Sequence, residues 1–97
     1  MDFKLFWSEE AIQNLENILD YLIEKWSQRE VDNFKKKLSK QLDLIVKNPR
    51  MFPVSEYNSR LRKAVLSKQT TIFYEIKENI IYIAYLFVNH QNISKLK

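Results

Sequence analysis

The sequence predicts an α+β fold: an N-terminal strand, an antiparallel helical hairpin, then a three-stranded antiparallel meander, with the helices packed on one face of the sheet. Three observations carry this expectation. Two successive stretches repeat apolar residues every three or four positions, as helices with one buried stripe do. Three later stretches alternate or run apolar over strand lengths, with short polar segments between them. No strand-helix-strand alternation of the kind that builds a parallel sheet is present.

The opening stretch DFKLFW (2–7) places Phe3, Leu5 and Trp7 on one side and Lys4 on the other, which predicts a short strand. Ser8 is placed to cap a helix, Glu9 and Glu10 suit the positive end of its dipole, and Trp7 and Ile12 have the spacing of a hydrophobic staple. Ile12, Leu15, Leu19, Leu22 and Trp26 then define a buried stripe that Ile18 widens. The capping box SQRE (27–30) starts a second helix, stapled by Trp26 and Val31, with Val31, Phe34, Leu38, Leu42 and Ile45 facing the core. Asn48-Pro49 ends it, because proline disfavours a helical residue before it. Lys35, Lys36, Lys37 and Lys40 read as its solvated side.

Residues 50–58, with Pro53, form an ordered loop. LRKAVL (61–66), TTIFYEI (70–76) and IIYIAYLFV (80–88) are the remaining strands. The last is apolar on both sides, as a strand in the centre of a sheet is. The chain has no glycine, so the left-handed position in the turn 77–79 falls to Asn79.

Ninety-seven residues make one domain, residues 1–97. A 45% hydrophobic content argues against disorder, since it supplies enough apolar surface to offset chain entropy. With no cysteine and one histidine, disulfides and thiolate metal sites are excluded, and no metal or other cofactor is expected. The lack of glycine excludes phosphate-cradling loops and dinucleotide fingerprints. The longest apolar run, 80–88, is far below the ~20 residues of a membrane helix, and no secretory leader begins the chain, so a cytoplasmic protein is expected. Residues 1–33 carry a net charge of −5 and residues 34–97 a net of +9, which predicts an attraction for polyanions or an acidic protein partner.

FWSEEAIQNLENILDYLIEKW (6–26), KNPR (47–50), LRKAVLSKQTTIFYEIKENIIYIAYLF (61–87) and the terminal VNHQNISKL together resemble the RelE/ParE family of toxins from type II toxin–antitoxin pairs. Tyr21 within a leucine-rich helix, Arg62 opening a strand, and IFYEI before an apolar last strand are most similar to the ParE branch. The resemblance implies a toxin neutralised by a cognate antitoxin in a hetero-oligomer, and, for the ParE branch, inhibition of DNA gyrase through protein contacts without catalysis. The RelE branch implies instead metal-independent cleavage of mRNA on the ribosome, in which the RNA's own 2′-hydroxyl attacks the adjacent phosphate. A third reading is a basic interaction module without toxicity.

The nuclease reading needs an acid, a base and phosphate-binding cations, for which His90, Arg62 and Tyr74 are the candidates. The contact reading assigns Arg60, Arg62, Lys63, Lys68, His90 and Lys95 to a basic surface that binds target or antitoxin. His90 is read as a terminal contact and not a catalyst, because a lone histidine past a strand end more commonly serves so. Arg62 and Lys63, adjacent on a strand, are expected to point to opposite faces.

Overall fold

A computed structural model describes residues 3–89. It contains β1 (Lys4–Trp7), α1 (Glu9–Lys25), α2 (Gln28–Lys47), β2 (Arg62–Val65), β3 (Thr70–Lys77) and β4 (Ile80–Val88), which is the predicted order.

Ser8 starts α1, its Oγ accepting from the Ala11 N–H at 3.0 Å. The same hydroxyl donates to the Ala84 carbonyl at 2.6 Å, so the cap also clasps the helix to β4. Only Trp26 and Ser27 separate the helices, which pack against each other, and Ser27 caps α2 by accepting from the Glu30 N–H at 3.4 Å.

The sheet order is β1-β4-β3-β2. β2, β3 and β4 form the antiparallel meander, and β1 joins β4 in parallel, with Lys4 opposite Ile80 and Trp7 opposite Ile83. β4 is therefore central, as its sequence predicts. A register shift interrupts the β3–β4 ladder: Phe73 faces Tyr85 whereas Tyr74 faces Ile83, leaving Ala84 as the extra residue of a bulge. Because side chains alternate along a strand, the bulge changes which parity faces inward. Ile81 and Ile83 are buried before it and Leu86 after it, so Tyr85 and Phe87 stand on the other face with Tyr82.

The core lies between the helices and one face of the sheet. Ala11, Ile18 and Leu22 of α1 and Val31, Leu38 and Ile45 of α2 pack against Ala64, Ile72, Tyr74, Ile81, Ile83 and Leu86. Ile45, Ile72, Ile81 and Ile83 are fully buried, each contributing about 1.5–3 kcal/mol relative to exposure.

Two local expectations are corrected. Ile12 is 46% exposed, so it does not belong to the buried stripe. The buried arc of α1 centres on Ala11, Ile18 and Leu22, and Ile12 lies about 100° around the helix from Ala11. In the β3–β4 turn Glu78, not Asn79, takes the left-handed backbone, at φ 54°. The eight-residue β3 runs through Lys77 and leaves Glu78 as the first of two turn residues, the position where a tight hairpin demands positive φ.

Candidate functional site

Arg62 and Tyr74 are paired across β2 and β3, and both are committed to the chain that follows α2. The Tyr74 side chain is fully buried and its hydroxyl donates to the Pro49 carbonyl at 2.6 Å. Phe52 packs edge-on to its ring at 6.3 Å. Arg62 donates through Nη1 to the carbonyls of Phe52 at 2.6 Å and Arg50 at 3.2 Å. Burial pushes the Tyr74 phenol up from 10.0 to about 12, and the neighbouring Arg62 guanidinium pulls in the opposite direction. The two side chains thus pin the α2–β2 loop. Two backbone bonds continue the attachment, Lys63 N–H to Pro53 O at 2.9 Å and Ser55 N–H to Leu61 O at 2.7 Å, and Val54 bridges Arg62, covering the edge of β2.

The remaining cations are dispersed. Lys63 points to the face opposite Arg62 and pairs with Glu56 at 3.2 Å. Arg60 is exposed in the loop, where its backbone N–H is bonded to Asn58 Oδ1. Lys68 is exposed in the β2–β3 turn. His90 and Lys95 lie outside the described residues. Of the cations that the sequence assigns to a basic surface, Arg62 faces the core side, Lys63 stands on the helix-free face of the sheet, and Arg60 and Lys68 lie in the flanking loop and turn.

What the helix-free face of the sheet presents instead is aromatic. The pairing registers set its side chains in rows across the strands: Lys4, Ile80 and Lys77; then Phe6, Tyr82 and Glu75; then Tyr85, Phe73 and Lys63; then Phe87, Thr71 and Val65. Phe6 and Tyr82 meet edge-to-face at 5.4 Å, and Phe73 and Tyr85 stack at 4.8 Å. Phe6 remains 56% exposed, Phe87 52% and Val65 60%, which makes a contiguous apolar patch of the kind that marks a protein-binding surface. The sequence pattern does not disclose this face, because apolar residues on both sides of 80–88 predict burial on both sides. Phe6 was the available signal, since inward Leu5 and Trp7 force it outward.

A second apolar feature runs beside α1. Beyond Trp7 no strand among the described residues pairs with the outer edge of β4, and α1 seals it: the Ser8 N–H donates to the Ile83 carbonyl at 3.0 Å and its hydroxyl to Ala84, and Asn14 Oδ1 accepts from the Leu86 N–H at 3.0 Å. Two adjoining clefts open there, sharing Ile18, Tyr21 and Val88; one extends to Phe34 and Leu66, the other to Asn17 and Phe87. Among the described residues no group of acidic residues or histidines is arranged to hold a metal ion, and no helix is long and apolar enough to cross a membrane.

The model of one protein family, the ParE toxin of the type II toxin–antitoxin system parDE, matches residues 5–93. No curated protein is significantly similar in sequence. Among solved structures, the fold is similar to a chain of the chromosomal ParDE system from P. aeruginosa, with a TM-score of 0.75, 16% identity, and 89% of this chain and 95% of that one covered. It is also similar to the YoeB dimer from Staphylococcus aureus (TM-score 0.65, 14% identity, 92% and 99% covered) and to the E. coli DinJ-YafQ toxin-antitoxin complex (TM-score 0.64, 9% identity, 96% and 99% covered).

Proposed function

Since this chain belongs to the ParE toxin family of type II toxin–antitoxin systems, we propose that, once free of its antitoxin, it acts by binding a protein target, DNA gyrase, and not by cutting RNA. The observation that carries this reading is the aromatic face of the sheet, where Phe6, Tyr82, Phe73, Tyr85 and Phe87 offer apolar area to a macromolecular partner. The competing chemistry needs a proton donor and cations converging on a phosphate. Tyr74 has no exposed surface and donates to Pro49, and Arg62 is spent on two loop carbonyls.

The antitoxin fits the clefts between α1 and the end of β4. Ile18, Tyr21, Leu22, Leu66 and Val88 give them an apolar floor suited to alternate side chains of an inhibitor segment. On this reading antitoxin and target compete at Phe87, which stands on the sheet face and also lines one of the clefts.

Two assays on the purified chain test the proposal: supercoiling by gyrase, and mRNA integrity on translating ribosomes. Inhibited supercoiling with intact mRNA is expected. Cleavage that disappears in Arg62→Ala and His90→Ala variants, with gyrase unaffected, would overturn it.

A further inference from the structure

The charges of α2 are sorted around its axis. Arg29, Lys36, Lys40 and Lys47 are exposed and fall within about 40° of one another, a straight row about 27 Å long. One side of that row is fixed by Gln41, whose Nε2 donates to the Val65 carbonyl at 3.1 Å, so this side faces β2. Lys37 stands there, one turn before Gln41, and lines a cleft with Ser67 and Gln69 of the β2–β3 turn. Lys68, between those two, is exposed. Glu30 is the acid of that cleft. The other acids of α2, Asp32 and Asp43, border the row on the side away from Gln41, toward α1, which itself exposes Glu16, Asp20 and Glu24.

Two elements thus bring Lys36, Lys37, Lys40 and Lys68 to one edge of the molecule. None of these ammonium groups is neutralised within the chain, because among the described residues the ion pair is Lys63–Glu56. Lys36 and Lys40, four residues apart, repel each other, and a bound anion would relieve that repulsion. The chain leaves the described structure at the same edge: the Asn89 N–H donates to the Gln69 carbonyl at 2.7 Å, and the sequence after it carries Lys95 and Lys97 and no acid. On α2 the exposed residues beside the lysines, Asn33 and Leu44, offer no ring on which an unpaired base could stack. The edge is built to meet phosphates and not bases.

From this arrangement we infer that the edge formed by α2 and the β2–β3 turn binds the phosphate backbone of duplex DNA, without regard to sequence. The choice of DNA rests on the gyrase reading, since a toxin seated on that enzyme lies beside duplex DNA; the cationic edge does not depend on it. The acids of α1 hold the backbone off the neighbouring helix, so the contact is one-sided. Its strength comes from released counterions and falls steeply as salt rises.

Fluorescence anisotropy of a short labelled DNA duplex titrated with the full chain, without gyrase, tests this from about 0.05 M to about 0.2 M salt. Four phosphate contacts predict a slope of about −3.6 in log K against log salt. K37Q/K68Q should flatten that slope by about 1.8 and weaken binding at the lower salt at least tenfold, whereas K37R/K68R should bind as wild type does. Adding E16Q/D20N to K37Q/K68Q restores the wild-type net charge on the opposite side, and binding should stay as weak as in K37Q/K68Q. Thermal melts show which variants are folded; K68Q alone, expected to flatten the slope by about 0.9, replaces a double variant that is not. No binding at the lower salt, an unchanged slope in folded K37Q/K68Q or in its K68Q replacement, recovery in the charge-restored variant, or tighter binding of a single strand or of duplex RNA would each overturn the inference. Because gyrase is absent, DNA binding by a chain that leaves supercoiling intact would overturn the choice of target and not the edge.

Discussion

Arg62 and Tyr74 stand side by side on neighbouring strands and spend their polar groups on three loop carbonyls, those of Pro49, Arg50 and Phe52. Tyr74→Phe leaves the Pro49 carbonyl without its donor in a buried site and should cost about 1–2 kcal/mol in a denaturant titration. The phenol also sets a pH limit. Its pKa is raised on folding, so the stability tied to it is complete below pH 10.0 and is lost as pH rises through about 12. Wild type should therefore lose stability between those values, and Tyr74→Phe should lack that component; the difference between the two alkaline denaturation curves measures it. Equal curves would mean that the hydroxyl is not held neutral by burial. Arg62 was legible in the sequence as a conspicuous arginine at a strand start, but not its direction. Its carbonyl partners come from a loop whose path the residue pattern does not encode.

The elements themselves were largely legible, because each had both a period and a boundary signal. Ser8 and Ser27 begin helices where capping residues precede apolar stripes, and Val31, Leu38 and Ile45 are buried as the second stripe predicts. The misreadings share one cause: tertiary docking chooses among local options. Ala11 is buried and Ile12 exposed because the first turn of α1 is drawn onto β4 by Ser8. Ser8→Ala removes both the cap and that clasp, and should cost about 1–2 kcal/mol, read as a lowered unfolding midpoint. Glu78 occupies the left-handed turn position because the strand register, and not residue preference, sets where the turn begins. Glu78→Asn should raise stability by about 0.5 kcal/mol, since asparagine tolerates that backbone better; no gain would show the turn to be unstrained. The bulge at Ala84 is the largest effect invisible in the pattern. In an all-apolar strand a change of parity leaves no trace, yet it decides that Tyr85 and Phe87 face out.

At the scale of the molecule, the charge asymmetry of the sequence is spread over several elements. Among residues 34–97, Lys35, Lys36, Lys37, Lys40 and Lys47 lie on α2, whereas Lys63 and Lys77 stand on the sheet face among its aromatic side chains. The sheet face thus combines apolar area with flanking charges. Substituting Phe6 and Phe87 with serine should leave thermal stability nearly unchanged, because both are already more than half exposed, and should remove apolar area from the face proposed to bind the target. The most direct test of the account is the inhibition of gyrase supercoiling by this F6S/F87S variant beside the wild-type chain. Wild type should inhibit and the folded variant should lose at least tenfold in potency; equal inhibition by both, or none by either while ribosome-bound mRNA is cut, would contradict a toxin that works through its aromatic sheet face.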